Sequence, residues 1–183
     1  FLEMGALGVA ATAPVAAQGS GATAGSAGTE IAVIPLGGKW KFQLDPDGGG
    51  ESRGWARAEL LDAGWTVVDV PHTWQVQPAA AEYQGVAWYR TTFRAPADWV
   101  GKFVRIEFEA VNHSASVWLN GVLLGHHLRR GYTTFTLDVS PALKPGSPNA
   151  LAVKVDNAFN DSMLPRGKSY DWTVDGGIIR PVN

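Results

Sequence analysis

Near the end of the chain a carboxylate stands between two aromatic rings, Tyr170-Asp171-Trp172. Rings of this kind cover the apolar face of a pyranose, and an ionised carboxylate accepts hydrogen bonds from hydroxyl groups. The same residues would equally serve a core, with Asp171 ion-paired to Arg166 or Arg180 and both rings buried, as most aromatics are. Asp156, Asp161 and Asp175 lie nearby in the chain. Retaining cleavage of a glycosidic bond needs two carboxyls about 5–5.5 Å apart, one with a raised pKa. Nothing in the spacing of these aspartates sets up such a pair, so the stretch reads as a binding surface and no catalytic residue is assigned.

Other chemistries lack their parts. Cysteine is absent, which removes disulfides, thiolate nucleophiles and thiolate zinc sites. There is no Gly-x-Ser-x-Gly elbow, and Gly48-Gly49-Gly50 is not followed by the Lys-Ser/Thr of a phosphate loop. His72, His113, His126 and His127 do not have the helical spacing of a metalloprotease pair, and no metal ligand is assigned. Asp45 to Ser52, DPDGGGES, lacks the later ligands of a calcium loop and reads as a solvated turn. With 15 basic and 17 acidic residues the chain carries no basic footprint for nucleic acid.

The elements that must position Asp171 read as strands. Leu151, Val153 and Val155 alternate with Ala152, Lys154 and Asp156, the pattern of a strand with one apolar face. From Asn157 the alternation stops, and about twenty residues rich in Asn, Asp, Ser, Pro and Gly follow. A connection of that length is more often functional than idle. Gly176-Gly177 closes it, and the apolar run Ile178 to Val182 resumes a strand. Earlier strands are expected within Pro35–Leu44, Trp65–Val70, Trp88–Phe93, Val104–Phe108, Ser114–Leu119 and Thr133–Leu137. Trp55 to Leu61 has room for one or two helical turns. Asn120-Gly121 supplies the positive φ angles of a type I′ turn and predicts a hairpin over Val117–Leu124. Eight or nine short strands with no long helix predict an all-β, two-sheet sandwich of jelly-roll type.

Residues 1–30 differ in kind. Leu7 to Ala17 is an apolar run of small residues, with Val15 and Ala17 placed as at a signal-peptidase site, and Gly19 to Gly28 reads as a flexible linker. The run is too short to span a bilayer. Export to a periplasmic or extracellular space is the expectation, with residues 31–183 as the folded domain.

Several stretches together resemble one family. Trp40-Lys41-Phe42, Val70-Pro71-His72-Thr73-Trp74, Trp88-Tyr89-Arg90-Thr91-Thr92-Phe93 and Val117-Trp118-Leu119-Asn120-Gly121 are similar to the N-terminal sugar-binding domain of glycoside hydrolase family 2. So are Gly131 to Asp138, Asn149 to Val153, Val155-Asp156-Asn157 and Gly176-Gly177-Ile178-Ile179-Arg180. The resemblance covers about residues 36–183 and departs at Arg130, where a glycine is usual. It implies a galactose-binding-domain-like jelly roll, followed in the parent enzyme by an immunoglobulin-like domain and a barrel bearing both catalytic glutamates. It implies a β-galactosidase-like parent that hydrolyses β-glycosides or β-linked oligosaccharides with retention, whose downstream domains are this domain's partners.

By resemblance, Asp171, six residues before Gly177, is the first choice as a sugar ligand. Trp172 would wall the pocket, Tyr83 and Gln84 would approach the sugar from the loop before Trp88, and Asn160 and Asp161 would line the same rim. His72 would hold its turn through a hydrogen bond. No cofactor is implied, although the family leaves room for a sodium or magnesium ion near the sugar subsite of the intact enzyme. A free-standing carbohydrate-binding module and a purely structural sandwich are the competing readings.

Overall fold

A computed structural model of the chain describes residues 31–159 and 175–183. Their strands, in chain order, are β1 (Gly38–Asp45), β2 (Thr66–Val70), β3 (Val86–Arg94), β4 (Arg105–Phe108) and β5 (Val111–Asn112). Then come β6 (Ser114–Leu119), β7 (Val122–His127), β8 (Phe135–Asp138), β9 (Pro148–Asp156) and β10 (Gly177–Ile178). Six of them form one antiparallel sheet in the order β2-β1-β3-β9-β6-β7. Asn120 (φ 52°) and Gly121 (φ 82°) make the tight turn between β6 and β7 that the sequence predicts.

The second layer is smaller. β4 pairs with β8, and β5 pairs with β10. The last residues continue past β10 beside β4: Glu109 N–H donates to Pro181 O, and Glu107 and Asn183 exchange backbone hydrogen bonds. On the far side of this final segment, Leu36 N–H donates to Val182 O. The two layers form the expected all-β jelly-roll sandwich. β5 has two residues, too few for any periodicity to announce it, and of the strand expected over Ile178 to Val182 only Gly177–Ile178 is regular, with Val182 bridging Phe108.

Alternation sorts each strand between two environments. Trp40, Phe42, Tyr89, Val117, Leu119, Leu151, Val153 and Val155 meet Ile106, Phe108, Val111, Ile178 and Val182 in one buried cluster. Each Leu, Val, Ile or Phe buried there contributes roughly 1.5–3 kcal/mol. Residues one step out of phase, Trp88, Trp118 and Ala152, lie on the opposite face of the six-stranded sheet. They form a separate cluster with Trp55 and Trp65. Trp88 stacks on Trp118 at 5.1 Å, and Trp55 meets Trp88 edge-on at 6.1 Å.

Two expectations are corrected here. Trp55 to Leu61 forms no helical turn: it runs through turns, with Arg57 N–H donating to Gly54 O and Leu60 N–H to Arg57 O. Asp45 to Ser52 is a turn, but not a solvated one throughout. Asp45 is 1 % exposed and accepts from Gly50 N–H, the Trp88 indole N–H and Arg53 at 2.7–2.9 Å. A buried carboxylate needs such donors, and they arrive because the turn folds back over the sheet.

Candidate functional site

The described ends of the long connection, Asn157–Phe159 and Asp175–Gly177, are both fixed against the 72–85 loop. β3 and β9 pair as far as Val86 and Asp156. Immediately beyond, Asn157 N–H donates to Gly85 O at 3.1 Å, and its side-chain Oδ1 accepts from Gly85 N–H at 2.9 Å. Asn157 is fully buried. One amide thus completes a ladder step where regular pairing stops.

The returning end is held by the segment after cis Val70–Pro71. His72 N–H donates to Ile178 O at 2.7 Å and Trp74 N–H to Gly176 O at 3.1 Å. Gln75 Oε1 accepts from Gly176 N–H at 2.8 Å, while Asn112 Nδ2 donates to the Asp175 carbonyl. The two glycines have separate reasons. A Cβ on Gly176 would fall within the Trp74 ring; Gly177 has φ 146°, and a Cβ there would strike the His72 carbonyl.

His72 holds its turn through a hydrogen bond. Nδ1 lies 2.8 Å from the Tyr89 hydroxyl, and the Gln77 amide meets Nε2 at 3.2 Å. Gln77 Nε2 can only donate, so His72 Nε2 is the acceptor and Nδ1 carries the proton. Burial lowers the His72 pKa, which agrees with a neutral ring. His113 is lowered for the same first reason, and its Nδ1 is buried without a hydrogen-bond partner.

Of the residues assigned to a sugar from sequence, Tyr83 and Gln84 lie on this rim. Gln84 is exposed. The Tyr83 hydroxyl donates to Val86 O at 2.8 Å, its ring meets Trp74 edge-on, and its carbonyl accepts from both the Trp74 indole and Gln75. Burial, then the charge of Asp45, raises the Tyr83 pKa and keeps the hydroxyl protonated. Asp171, Trp172, Asn160 and Asp161 lie outside the described residues. Gln75 and Asn112, which fix the returning end, carry no signal in the sequence. Asn157 falls in the Val155-Asp156-Asn157 stretch, although its type alone does not reveal its task. Among the described residues no cluster of three or more His, Asp or Glu could hold a metal ion.

Residues 33–183 match the family described as glycosyl hydrolases family 2, sugar binding domain. The chain belongs to that family. A β-galactosidase of Bacteroides ovatus is 37 % identical over 154 residues, covering 78 % of this chain and 17 % of the relative. A β-glucuronidase of Paenibacillus borealis is 32 % identical over 142 residues, covering 76 % and 24 %. The crystal structure of Ruminococcus gnavus β-glucuronidase superposes with TM-score 0.73 at 28 % identity, over 81 % of this chain and 28 % of that one. The chain therefore spans less than a third of the length of these relatives. It is the sugar-binding domain of a family whose similar members are larger glycosidases.

Proposed function

We propose that this domain supplies one wall of the sugar subsite in an exported β-galactosidase-like or β-glucuronidase-like enzyme. Asp171 accepts hydrogen bonds from the hydroxyls of the terminal sugar and fixes the orientation of its ring. Trp172 and the rim residues Gln84, Tyr83, Asn160 and Asp161 close the same side. The acid and nucleophile for retaining hydrolysis come from other parts of the parent protein, and the 183 residues alone are inactive. Export rests on the small-residue run Leu7–Ala17.

The observation that carries this reading is the fixing of both ends of the Asp171-bearing connection to the 72–85 loop. Asn157, fully buried, and Gly176 and Gly177, where a Cβ has no room, hold those ends beside Tyr83 and Gln84. Asp171→Ala in the full-length enzyme should lower kcat/KM by about tenfold or more, since a bond made to the sugar in the transition state is lost. Unchanged kcat/KM on an aryl β-galactoside and an aryl β-glucuronide would sink the assignment.

A further inference from the structure

On the face of the six-stranded sheet turned away from the core, β1 to β3 carry a groove of about 320 Å³ between Lys39, Lys41, Asp62, Val67, Arg90 and Thr92. The pairing registers set Val67, Lys41 and Arg90 side by side across β2, β1 and β3. Two cations directly opposite each other on neighbouring strands repel and destabilise a sheet. Carboxylates answer two of the groove's three positive charges: Asp69 meets Lys39 at 2.6 Å, and Asp62 meets Arg90 Nε at 2.9 Å. Lys41, half-buried, has no ion pair or hydrogen bond among the described residues. Arg90 is 4 % exposed, and its guanidinium is fixed by Asp62 and by the Trp55 carbonyl. Those bonds use Nε and Nη1. Nη2 has no acceptor among the described residues, although both of its N–H groups can donate.

We propose that this groove binds the oxyanion of an acidic saccharide, a carboxylate or sulfate held by Lys41 Nζ and Arg90 Nη2. Such an anion offsets the repulsion between the two cations and supplies the guanidinium with its missing acceptor. Because Asp62 and the Trp55 carbonyl already hold that guanidinium, little further ordering opposes the charge-assisted bond. The volume lies at the lower end of the ~300–1,000 Å³ typical of small-molecule sites, which suits a sugar unit better than a bare ion. Val67, 52 % exposed beside Lys41, gives a ring an apolar step, and the exposed Thr92 offers a hydroxyl. A saccharide as carrier of the anion also agrees with membership of a sugar-binding domain family. The groove shares no residue with the Asp171-bearing connection. Arg90 and Thr92 lie further along β3 than Val86, where the rim begins.

The test is calorimetric titration of the full-length enzyme with an α-linked galacturonate trimer, galactose 6-sulfate and inorganic sulfate. The α-linkage keeps the trimer from turnover at a β-specific site. At low salt the trimer or the sulfated sugar should bind with a Kd of about 1 mM or below, and the tighter of the two identifies the anion. Lys41→Met, similar in length and uncharged, should weaken that binding about five- to tenfold. Raising the salt from about 50 to about 500 mM should weaken binding to the wild type more than to the variant. With one of two opposed cations gone, the ligand-free variant should also unfold at a higher temperature than the wild type.

A Lys41 that serves only the fold lowers Tm when replaced and leaves the affinities alone, and that result overturns the proposal. So does the failure of both sugars to bind. Inorganic sulfate binding as tightly as either sugar overturns it too, because the groove then takes a free ion. A silent Asp171→Ala removes the proposed function and leaves this inference standing, whereas equal affinities for wild type and Lys41→Met remove the inference alone.

Discussion

The two faces of the six-stranded sheet are buried by different means. On the inner face, Trp40, Phe42, Tyr89, Leu151 and Val153 meet a second layer of strands through apolar contact. That layer holds its own backbone in ladders. On the outer face, Trp88 and Trp118 are covered by a stretch between β1 and β2 that has turns but no strand. Side chains hold it instead. Asp45 gathers Gly50, Arg53 and Trp88, and the 4 % exposed Arg90 donates to Asp62 at 2.9 Å and to Trp55 O at 2.5 Å. Where ladder hydrogen bonds are unavailable, individual polar groups do the fixing, and each becomes hard to replace. The rim uses the same device with amides.

The comparison breaks most sharply at Phe108, fully buried between the layers and stacked on Phe135 at 5.0 Å. Phe108→Ala should cost about 3–5 kcal/mol in chemical denaturation, while a Leu there should cost much less, since apolar packing tolerates a similar volume. On the outer face the order of tolerance should change. Asp45→Ala leaves Gly50 and the Trp88 indole without an acceptor and should cost about 2–4 kcal/mol. Asp45→Leu, similar in size, should rescue little, and tryptophan emission should shift red as Trp55 and Trp65 come away. An Asp45→Leu as stable as the wild type would erase the distinction.

The smallest effect belongs to the margin of the inner face. His72 packs on Phe42 and Tyr89 and is bonded to the Tyr89 hydroxyl and Gln77. Its folded pKa lies below the usual 6.5, so the unfolded chain takes up a proton first as pH falls. Stability is full above that value and is lost as pH drops from it through the folded value, where the ring can no longer accept from Gln77. Denaturation midpoints between pH 7.5 and 5 should fall accordingly. His72→Gln should flatten the slope to what His113, displaced in the same direction, leaves behind.

What was legible in the sequence was whatever local spacing determines. The Asn120-Gly121 hairpin and the alternation of β9 follow from residues within a few positions of one another. Arg90 pairs with Asp62, 28 residues away, a partner that no local spacing names. Asp45 was misread because its neighbours spell a turn, and burial of that turn depends on a tryptophan 43 residues on. Gln75 and Asn112 were missed for the same reason. An amide has no preference that distinguishes an exposed surface from a bond to a backbone 101 or 63 residues distant. Of the residues assigned to a sugar by resemblance, Tyr83 and Gln84 lie in the 72–85 loop, against which the described ends of the long connection are held.

The closing segment beside β4 has a consequence for biosynthesis. Ile178 and Val182 are interior, and the backbone of residues 179–183 supplies the partners of Glu107, Glu109 and Ala110. A ribosome delivers this segment after everything it pairs with. The nascent domain must therefore keep one flank of β4 and β5 unpaired until residue 183 has emerged, and a stalled or shortened translation product would present that flank to any strand-seeking neighbour.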